Sequence, residues 1–296
     1  KPRSLLYRAL RFAKRRVFKF FRGVRVAAHL ANYIVLRDGR SLAKALPFIN
    51  RFASSTISVK VRDVSVKLGV SSDVELFRLE TYSSKEPETL DWIDKNFSRS
   101  DVFYDVGANI GLYSLYAAKK IGCQVFSFEP EAQNFSRLML NVFHNDLRGK
   151  VVPYSVALAD RNALETLHVT TIDAGHSQHN LGAPNVEYMG ADYIAPILQG
   201  VMGMTVDHLW QQGGLPIPTH LKIDVDGLEE KIIAGCVETF RNPAFKTLLI
   251  EVNTEAGVKN GILESLADSG LKLQGVFRRP SSTEQLDISN YIFGKQ

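Results

Sequence analysis

A glycine-containing turn and the carboxylate that follows it are the residues best suited to binding chemistry. Asp105, Gly107, Asn109 and Gly111 lie between a predicted strand and a predicted helix. Glycine lets the backbone approach a ligand closely, and asparagine tolerates the left-handed conformation that such a turn uses. Glu129 follows 18 residues after Gly111, at the end of the next predicted strand. A carboxylate there can accept hydrogen bonds from both hydroxyls of a ribose, so the pattern predicts an adenosine site.

The spacing within the turn distinguishes two adenosine-containing cofactors. The dinucleotide fingerprint GxGxxG brings a helix N-terminus against a pyrophosphate. Here the spacing is GxxxG, and Asn109 stands where the second glycine of that fingerprint would allow the approach. S-adenosylmethionine (SAM) has no phosphate and carries a cationic sulfonium, which suits a nearby acid such as Asp105. The turn therefore favours SAM over NAD.

A second group of polar residues follows two later predicted strands. Asp224 and Asp226 follow HLKI (220–223), and Glu251 and Asn253 end the next predicted strand. Ligands of open parallel sheets bind beyond the carboxyl ends of the strands, so we expect these side chains to face the transferred methyl group. Asp224 is the first candidate for the catalytic centre, and Glu251 is a further candidate. Asp226 is better explained as a helix N-cap.

Three converging acids could also hold a divalent cation through oxygen ligands. The residues that would do so are Asp224, Asp226 and Glu251. The sequence permits such a cation but does not require it.

Two histidines provide alternative proton acceptors. His176 and His179 lie in GHSQHN, within the segment 171–214, which is rich in Gly, Asn, Pro, His and Met and has little periodicity. An irregular insertion of this length is typical of a binding loop or lid. Either histidine could then reach the acceptor as a general base, although surface-loop histidines are more often plain polar residues.

The elements that must position these residues alternate between short apolar strands and helices. This alternation predicts an α/β fold with a mostly parallel sheet covered on both faces and an antiparallel hairpin at the end of the chain. The predicted strands cover 102–106, 123–129, 151–158, 220–225, 245–252, 271–277 and 286–293, and the predicted helices cover 87–97, 111–121, 131–145, 227–240 and 257–269.

The beginning of the chain has a different character. Residues 1–25 hold ten Lys or Arg and no acid, and an apolar stripe at helical spacing predicts a basic amphipathic helix. Such a helix packs on the main domain or on a partner, or it docks on an anionic membrane surface. Residues 57–70 alternate as in a hairpin. We expect an N-terminal extension over 1–80 and a catalytic domain over 81–296, with the loop-rich insertion at 171–214.

The composition restricts the expected cellular location and the expected binding partners. The two cysteines, Cys123 and Cys236, are far apart and predict neither a disulfide framework nor a zinc site, as in a reducing compartment. The sequence contains no uninterrupted run of 18 apolar residues, so no membrane span is predicted. Because the excess positive charge resides in residues 1–25, nucleic-acid binding is not expected. The expected location is cytoplasmic, with peripheral contact at the inner face of the membrane through that helix. The sequence does not predict an oligomeric state.

Three blocks of sequence resemble the FkbM family of SAM-dependent methyltransferases. They are DVGANIGLYSLYAAKK from Asp105, FEPEAQNFSRLMLNV around Glu129, and LKIDVDGLEEKIIAGC (221–236). The resemblance covers roughly residues 100–255. It implies a class I methyltransferase fold, with a seven-stranded, mostly parallel sheet whose last hairpin is antiparallel. It also implies O-methylation of a hydroxyl, typically on a sugar or a polyketide-like natural product.

The resemblance also implies roles for individual residues. By position, Asp105, Gly107, Asn109 and Gly111 hold the methionine end of SAM, Glu129 holds the ribose, and Ala157 lies near the adenine. The chain departs from the family at Asp226, where glutamate is more usual.

The expected function is therefore SAM-dependent methyl transfer to a hydroxyl-bearing acceptor, such as a sugar, a glycan or a related natural product. Two alternatives stay open: a catalytically silent SAM-binding subunit and an NAD-dependent oxidoreductase. Acids at the ends of two strands favour the enzyme, because cofactor binding alone does not need them.

Overall fold

The structure is a computed structural model that describes residues 55–177, 179–182, 185–188, 191–253, 256–278 and 288–295. The basic helix predicted in residues 1–25, and with it the predicted membrane contact, lies outside the described residues. Among the residues that are described, no helix has both the length and the apolar character that crossing a bilayer requires.

The first described elements are a hairpin and two helices. They are β1 (Ser55–Val61), β2 (Val64–Val70), α1 (Asp73–Thr81) and α2 (Pro87–Asn96). Helix α1 was not predicted, although Ser72 and Glu75 form a capping box in which each side chain bonds to the backbone N–H of the other residue. Pro87 at the first turn of α2 begins a helix at the predicted position.

The central sheet begins with the two strand–helix units that contain the glycine turn and Glu129. The elements are β3 (Val102–Val106), α3 (Leu112–Lys120), β4 (Gln124–Phe128), α4 (Ala132–His144) and β5 (Val151–Tyr154). Strands β3 and β4 are buried almost throughout, as in parallel sheets covered on both faces.

The apolar run over 151–158, predicted as one strand, is two strands in two different sheets. After β5 the chain leaves the central sheet, and β6 (Ala157–Leu158) pairs in parallel with a strand of a second sheet. Because both short strands lie against the core, their residues are apolar throughout, and hydrophobicity does not mark the change of sheet.

The segment 171–214, predicted to be loop-rich, contains much of that second sheet. The second sheet consists of β6, β7 (Ala163–Val169), β8 (Asn180–Leu181) and β11 (Ile197–Met204). Strands β9 (Asn185–Tyr188) and β10 (Ala191–Ile194) form a separate pair, and helix α5 (Val206–Gln211) follows β11. Strand β11 pairs antiparallel with all of β7. Its alternation is hidden in the sequence because Leu198 and Met202 face solvent and two glycines interrupt the pattern.

The rest of the chain completes the central sheet. The elements are β12 (His220–Ile223), α6 (Glu229–Ala234), α7 (Val237–Arg241), β13 (Thr247–Asn253), α8 (Ala256–Asp268), β14 (Lys272–Arg278) and β15 (Ile288–Gly294). The predicted helix over 227–240 is broken at Gly235, where a Cβ would lie 2.4 Å from the carbonyl oxygen of Ala159. The helix is therefore interrupted at the residue where its backbone lies against the backbone of Ala159.

The seven strands of the central sheet lie in the order β14-β15-β13-β12-β3-β4-β5. All neighbouring pairs are parallel except the two that involve β15. The predicted fold class, a seven-stranded and mostly parallel sheet with a C-terminal antiparallel hairpin, is confirmed.

Both faces of this sheet are covered. On one face, residues of the sheet form a buried cluster with the β1–β2 hairpin and with α2, α3 and α4. On the other face, they form a second cluster with α5 to α8. The hairpin contributes Val61, Val66 and Leu68, all fully buried, to the same core as the sheet. The boundary predicted at residue 80 stays a prediction, although these side chains pack as part of the domain.

A buried hydrogen-bond network links residues at the amino ends of the strands of the central sheet. Trp92 donates to the Thr247 hydroxyl at 2.9 Å, and His220 Nδ1 lies 2.7 Å from the same hydroxyl. His220 Nε2 lies 3.3 Å from Asp101. Burial lowers the pKa of His220 to about 4, so its imidazole is neutral at pH 7. The opposite, carboxyl ends of the strands open onto two cavities.

Candidate active site

The turn after β3 has the conformation that its glycines predict. Gly107, Asn109 and Gly111 have φ values of 75°, 52° and 92°, in the left-handed region. A Cβ on Gly107 would lie 1.9 Å from the backbone carbonyl oxygen of Asp224. The turn therefore contacts the end of β12 directly, and only glycine permits the contact.

Glu129 is held in one position by this turn and by Glu131, the residue that caps helix α4. Its Oε2 accepts from the Asn109 backbone N–H at 2.7 Å, and its Oε1 accepts from the Glu131 N–H at 2.9 Å. The side chain is buried, and burial raises its pKa to about 7 even though the two N–H groups act in the opposite direction. The carboxylate lies in the wall of a cavity, where a ligand hydroxyl can reach it.

This first cavity combines an apolar wall with a few polar groups. It encloses about 630 Å³, including space open to solvent. The polar groups include Glu129 and Asn109, and the apolar side chains come from both sheets and include Val156, Ala157, Leu158, Leu167 and Leu181. The volume and the lining suit an adenosine, whose base is flat and largely apolar and whose ribose offers two hydroxyls. The structure places Ala157 in that apolar wall.

A second cavity adjoins the first. Five residues line both: Gly107, Asn109, Ser177, Asp224 and Asp226. The second cavity extends past the turn towards Glu86, Tyr113, Lys222 and Glu251, and Arg78 and Lys85 also line it. A ligand that occupies both cavities would pass directly over Gly107.

Three carboxylates meet in the second cavity. Oxygens of Glu86, Asp224 and Glu251 all lie within 4.8 Å of one another. Asp224 and Glu251 were predicted to converge, whereas Glu86, which begins α2, was not among the candidates. Asp226 lines both cavities but lies outside this trio. The side chain of Asn253 is not described. Carboxylate oxygens are ligands that Mg²⁺ or Mn²⁺ accepts, but two lysines already bond to the trio.

Lys222 is the functional candidate that the sequence interpretation missed. It lies in β12, is 1% exposed, and donates from Nζ to Asp224 Oδ2 at 2.6 Å. Its Nζ also lies 5.0 Å from the centroid of the Tyr113 ring. Burial lowers the pKa of this ammonium, but Asp224, Asp105 and Glu86 raise it further, so the group stays protonated. The sequence did contain a signal for this role, namely a lysine within a short strand that is otherwise mostly apolar.

Asp105 lies beneath the turn rather than in a cavity wall. Its side chain is buried and accepts from the Ser114 hydroxyl at 2.5 Å. Burial raises its pKa, with Lys222 acting in the opposite direction. Oδ1 has no hydrogen-bond partner among the described residues. Gly111 also packs tightly, since a Cβ there would lie 2.4 Å from Leu138 Cδ1.

The two histidines lie in the first cavity and not among the carboxylates. The carbonyl oxygen of His176 accepts from the side chains of Asn109 and Asn134, at 2.7 and 3.0 Å. His179 lines the same cavity, and burial lowers its pKa to about 4. Neither residue lines the second cavity. Their predicted role as a base stays a prediction, and the low pKa of His179 does not favour it.

Comparison with known proteins assigns the chain to a family. The model of the "Methyltransferase FkbM domain" matches residues 105–270. The chain is 24% identical to a hexuronic acid methyltransferase, AglP of Haloferax volcanii, over 79% of this chain and 84% of that protein. It is 27% identical to the 31-O-demethyl-FK506 methyltransferase FkbM of Streptomyces tacrolimicus, over 57% of this chain and 72% of that protein.

The chain is also similar, at low identity, to a solved structure. The crystal structure of a methyltransferase FkbM from Methylobacillus flagellatus is 17% identical, with a TM-score of 0.42, and covers 74% of this chain and 52% of that one.

The family match covers more than half of the chain and includes the glycine turn, Glu129 and the carboxyl ends of β12 and β13. The chain therefore belongs to the FkbM family and is a SAM-dependent methyltransferase.

Proposed function

We propose that the protein transfers a methyl group to a hydroxyl oxygen of a sugar, a glycan or a related natural product. The observation that carries this proposal is the second cavity, in which acids from two strand ends meet beside the cofactor turn. The names of two relatives, one for a hexuronic acid and one for FK506, support acceptors of this class.

The residues around the first cavity fit SAM. Glu129 would accept hydrogen bonds from the ribose hydroxyls, and the wall that contains Ala157 would contact the adenine. Gly107 lines both cavities and keeps the turn against the end of β12, because a Cβ there would meet the Asp224 carbonyl oxygen. When bound, SAM supplies a methyl group on a cationic sulfur. Asp105, Asn109 and Gly111 would shape the methionine end of the site.

The second cavity would hold the acceptor. An alcohol is a weak nucleophile at neutral pH, so its proton must leave as the new bond forms. Asp224 is placed by the end of a buried strand, which keeps its carboxylate in a fixed position. We assign Asp224 the role of orienting the hydroxyl and accepting its proton, with Glu251 beside it.

The experiment is a transfer assay with methyl-labelled SAM and a panel of acceptors. The panel pairs a uronic acid glycoside with the neutral glycoside of the same stereochemistry and with a natural product that carries a free hydroxyl. We expect label in a methyl ether, which survives mild alkali. Label released as methanol by mild alkali would identify a methyl ester and refute the hydroxyl assignment.

A cofactor-binding measurement separates the enzyme from the two alternatives. S-adenosylhomocysteine is expected to raise the melting temperature, because a ligand at 100 times its Kd stabilises by about 2.7 kcal/mol. NAD is expected to have no effect. Stabilisation by S-adenosylhomocysteine, with no transfer to any acceptor in cell-envelope or glycan extracts, would favour the catalytically silent subunit.

A further inference from the structure

We propose that the ammonium of Lys222 is the cation that acts on the acceptor oxygen in the second cavity, in partnership with Asp224. This inference rests on the proposed methyl transfer to a hydroxyl. Lys222 lies in the cavity wall, so it would touch the acceptor itself, which makes it a catalytic residue.

The surroundings of Lys222 differ from those of a lysine that only stabilises the fold. A buried ammonium needs compensating acids, and Lys222 has Asp224, Asp105 and Glu86 around it. A second lysine–aspartate pair, Lys246 with Asp101, lies at the opposite end of the strands. There the lysine is 48% exposed and borders neither of the two cavities described above. Of these two pairs, the Lys222 pair is the one whose lysine is buried and whose two residues line the cavity beside the cofactor turn.

The geometry leaves Lys222 able to bind a ligand oxygen. An ammonium has three N–H donors, and one of them bonds to Asp224 Oδ2 at 2.6 Å. The Tyr113 ring lies on one side, 5.0 Å away, and Tyr113 is itself fixed by its hydroxyl, which donates to Glu86 at 2.8 Å. The remaining donors are available to an oxygen in the cavity, beside the carboxylate that would accept its proton.

The step balances with these two residues. The acceptor oxygen forms a bond to the methyl carbon while the carbon–sulfur bond breaks and its electron pair stays on sulfur. The hydroxyl proton passes to the carboxylate of Asp224, which becomes neutral. Lys222 keeps its proton and stabilises the negative charge that develops on oxygen. A preorganised donor of this kind typically contributes on the order of 10²–10³-fold to the rate.

The same assignment predicts how the carboxylate trio behaves towards metals. Glu86, Asp224 and Glu251 are close enough to bind a hard cation together. If Lys222 is the cation of this site, Asp224 is already bonded and a divalent ion is not needed there.

The test compares Lys222→Met and Lys222→Arg with the matched control Lys246→Met. Calorimetry with S-adenosylhomocysteine and thermal melting show whether each variant is folded and binds the cofactor product. We expect Lys222→Met to keep that affinity within about threefold while kcat falls at least 100-fold. We expect Lys222→Arg to recover part of kcat, because the charge is retained, and Lys246→Met to keep full kcat. Normal kcat in Lys222→Met would overturn the proposal.

A second measurement does not depend on turnover, so it also applies if no acceptor is methylated. Mn²⁺ is titrated into the wild-type protein and Asp224→Asn and followed by electron paramagnetic resonance. We expect no bound Mn²⁺ that depends on Asp224. One Mn²⁺ per wild-type chain that is lost in Asp224→Asn would assign the cation role to a metal and overturn the proposal. Absence of methyl-ether product with the wild-type protein would instead contradict the proposed function.

Discussion

At the scale of single residues, Glu129 combines burial with a requirement for charge. Its carboxylate accepts two backbone N–H bonds, but its pKa is about 7 in the free protein. Ribose hydroxyls donate best to the ionised form. The affinity for SAM should therefore rise with pH through about 7 and level off above it, and it should fall as Glu129 becomes protonated at lower pH.

Calorimetry with S-adenosylhomocysteine between pH 6 and pH 8.5 tests this prediction. Glu129→Ala should weaken binding by roughly 2–3 kcal/mol, because hydrogen bonds to a charged acceptor are lost. Glu129→Gln should weaken binding and remove the pH dependence as well. The same pH dependence in Glu129→Gln would show that another group titrates, and unchanged affinity in Glu129→Ala would reject the ribose assignment.

Asp224 should affect turnover and not cofactor affinity. Asp224→Asn keeps the size of the side chain but cannot accept a proton in the same way. We expect the transfer rate to fall on the order of 10²–10⁴-fold, with S-adenosylhomocysteine affinity close to that of the wild type. Asp63→Asn, which changes an aspartate with a 66% exposed side chain, is the control and should have normal turnover. Near-normal turnover of Asp224→Asn would falsify this placement of the catalytic centre.

At the scale of elements, the contact between the β3 turn and the end of β12 depends on Gly107. Gly107→Ala puts a Cβ at 1.9 Å from a carbonyl oxygen, in a backbone conformation with a positive φ. Strained backbone of this kind costs of order 1–3 kcal/mol, and the clash adds to that cost. We expect a lower free energy of unfolding and weaker S-adenosylhomocysteine binding.

Gly149→Ala is the matched control for this prediction. Gly149 has a φ of 81°, close to that of Gly107, but a Cβ there meets nothing within 4 Å. Urea unfolding of the two variants separates the strain from the clash. Equal losses of stability, with cofactor binding intact in both, would contradict a specific role for the Gly107 contact.

Element prediction from the sequence succeeded where burial and periodicity agree. The strands that lead to Asp105, Glu129 and Asp224, and the helices α3 and α4, were predicted to within one or two residues because apolar runs and turn residues mark them. The single helix predicted over 227–240 is two helices. The change of sheet between Tyr154 and Ala157 was missed, since apolar residues on both sides look like one strand. Helix α1 was missed although Ser72 and Glu75 gave a capping signal.

Some residues of the candidate site could be predicted from the sequence, and others could not. Acids at strand ends are visible in the sequence because the ends of parallel strands meet at one edge. Glu86 enters the site from α2, far from the glycine turn in the sequence, so only the tertiary fold brings it to Asp224. Lys222 sits inside a strand, where the sequence shows a charge but not its partners.

At the scale of the whole molecule, the basic segment should be separable from cofactor binding. All ten Lys and Arg of residues 1–25 precede the described domain, whose core begins at Val61. A chain that begins near residue 40 should bind S-adenosylhomocysteine with unchanged affinity. Loss of binding would show that the N-terminal residues contribute to the domain.

If the same segment docks on an anionic membrane instead of packing on the domain or on a partner, its binding should be sensitive to salt. The full chain is expected to sediment with anionic vesicles at low salt and to dissociate as salt rises, since each basic residue near such a surface contributes about 1 kcal/mol. The shortened chain is the control and should stay in the supernatant. Equal sedimentation with neutral vesicles would favour packing of the segment against protein.

The change of sheet after β5 has a consequence for protein engineering. Strands β6, β7, β8 and β11 look like a replaceable module, because they form a four-stranded sheet of their own. Yet Ala157, Leu158, Leu167 and Leu181 from that module line the first cavity, the one assigned to the adenosine. A chimera that imports these strands from a relative with another acceptor would change the cofactor pocket at the same time. A graft intended to redirect acceptor choice should therefore retain these four side chains and exchange only the outward-facing positions of the module.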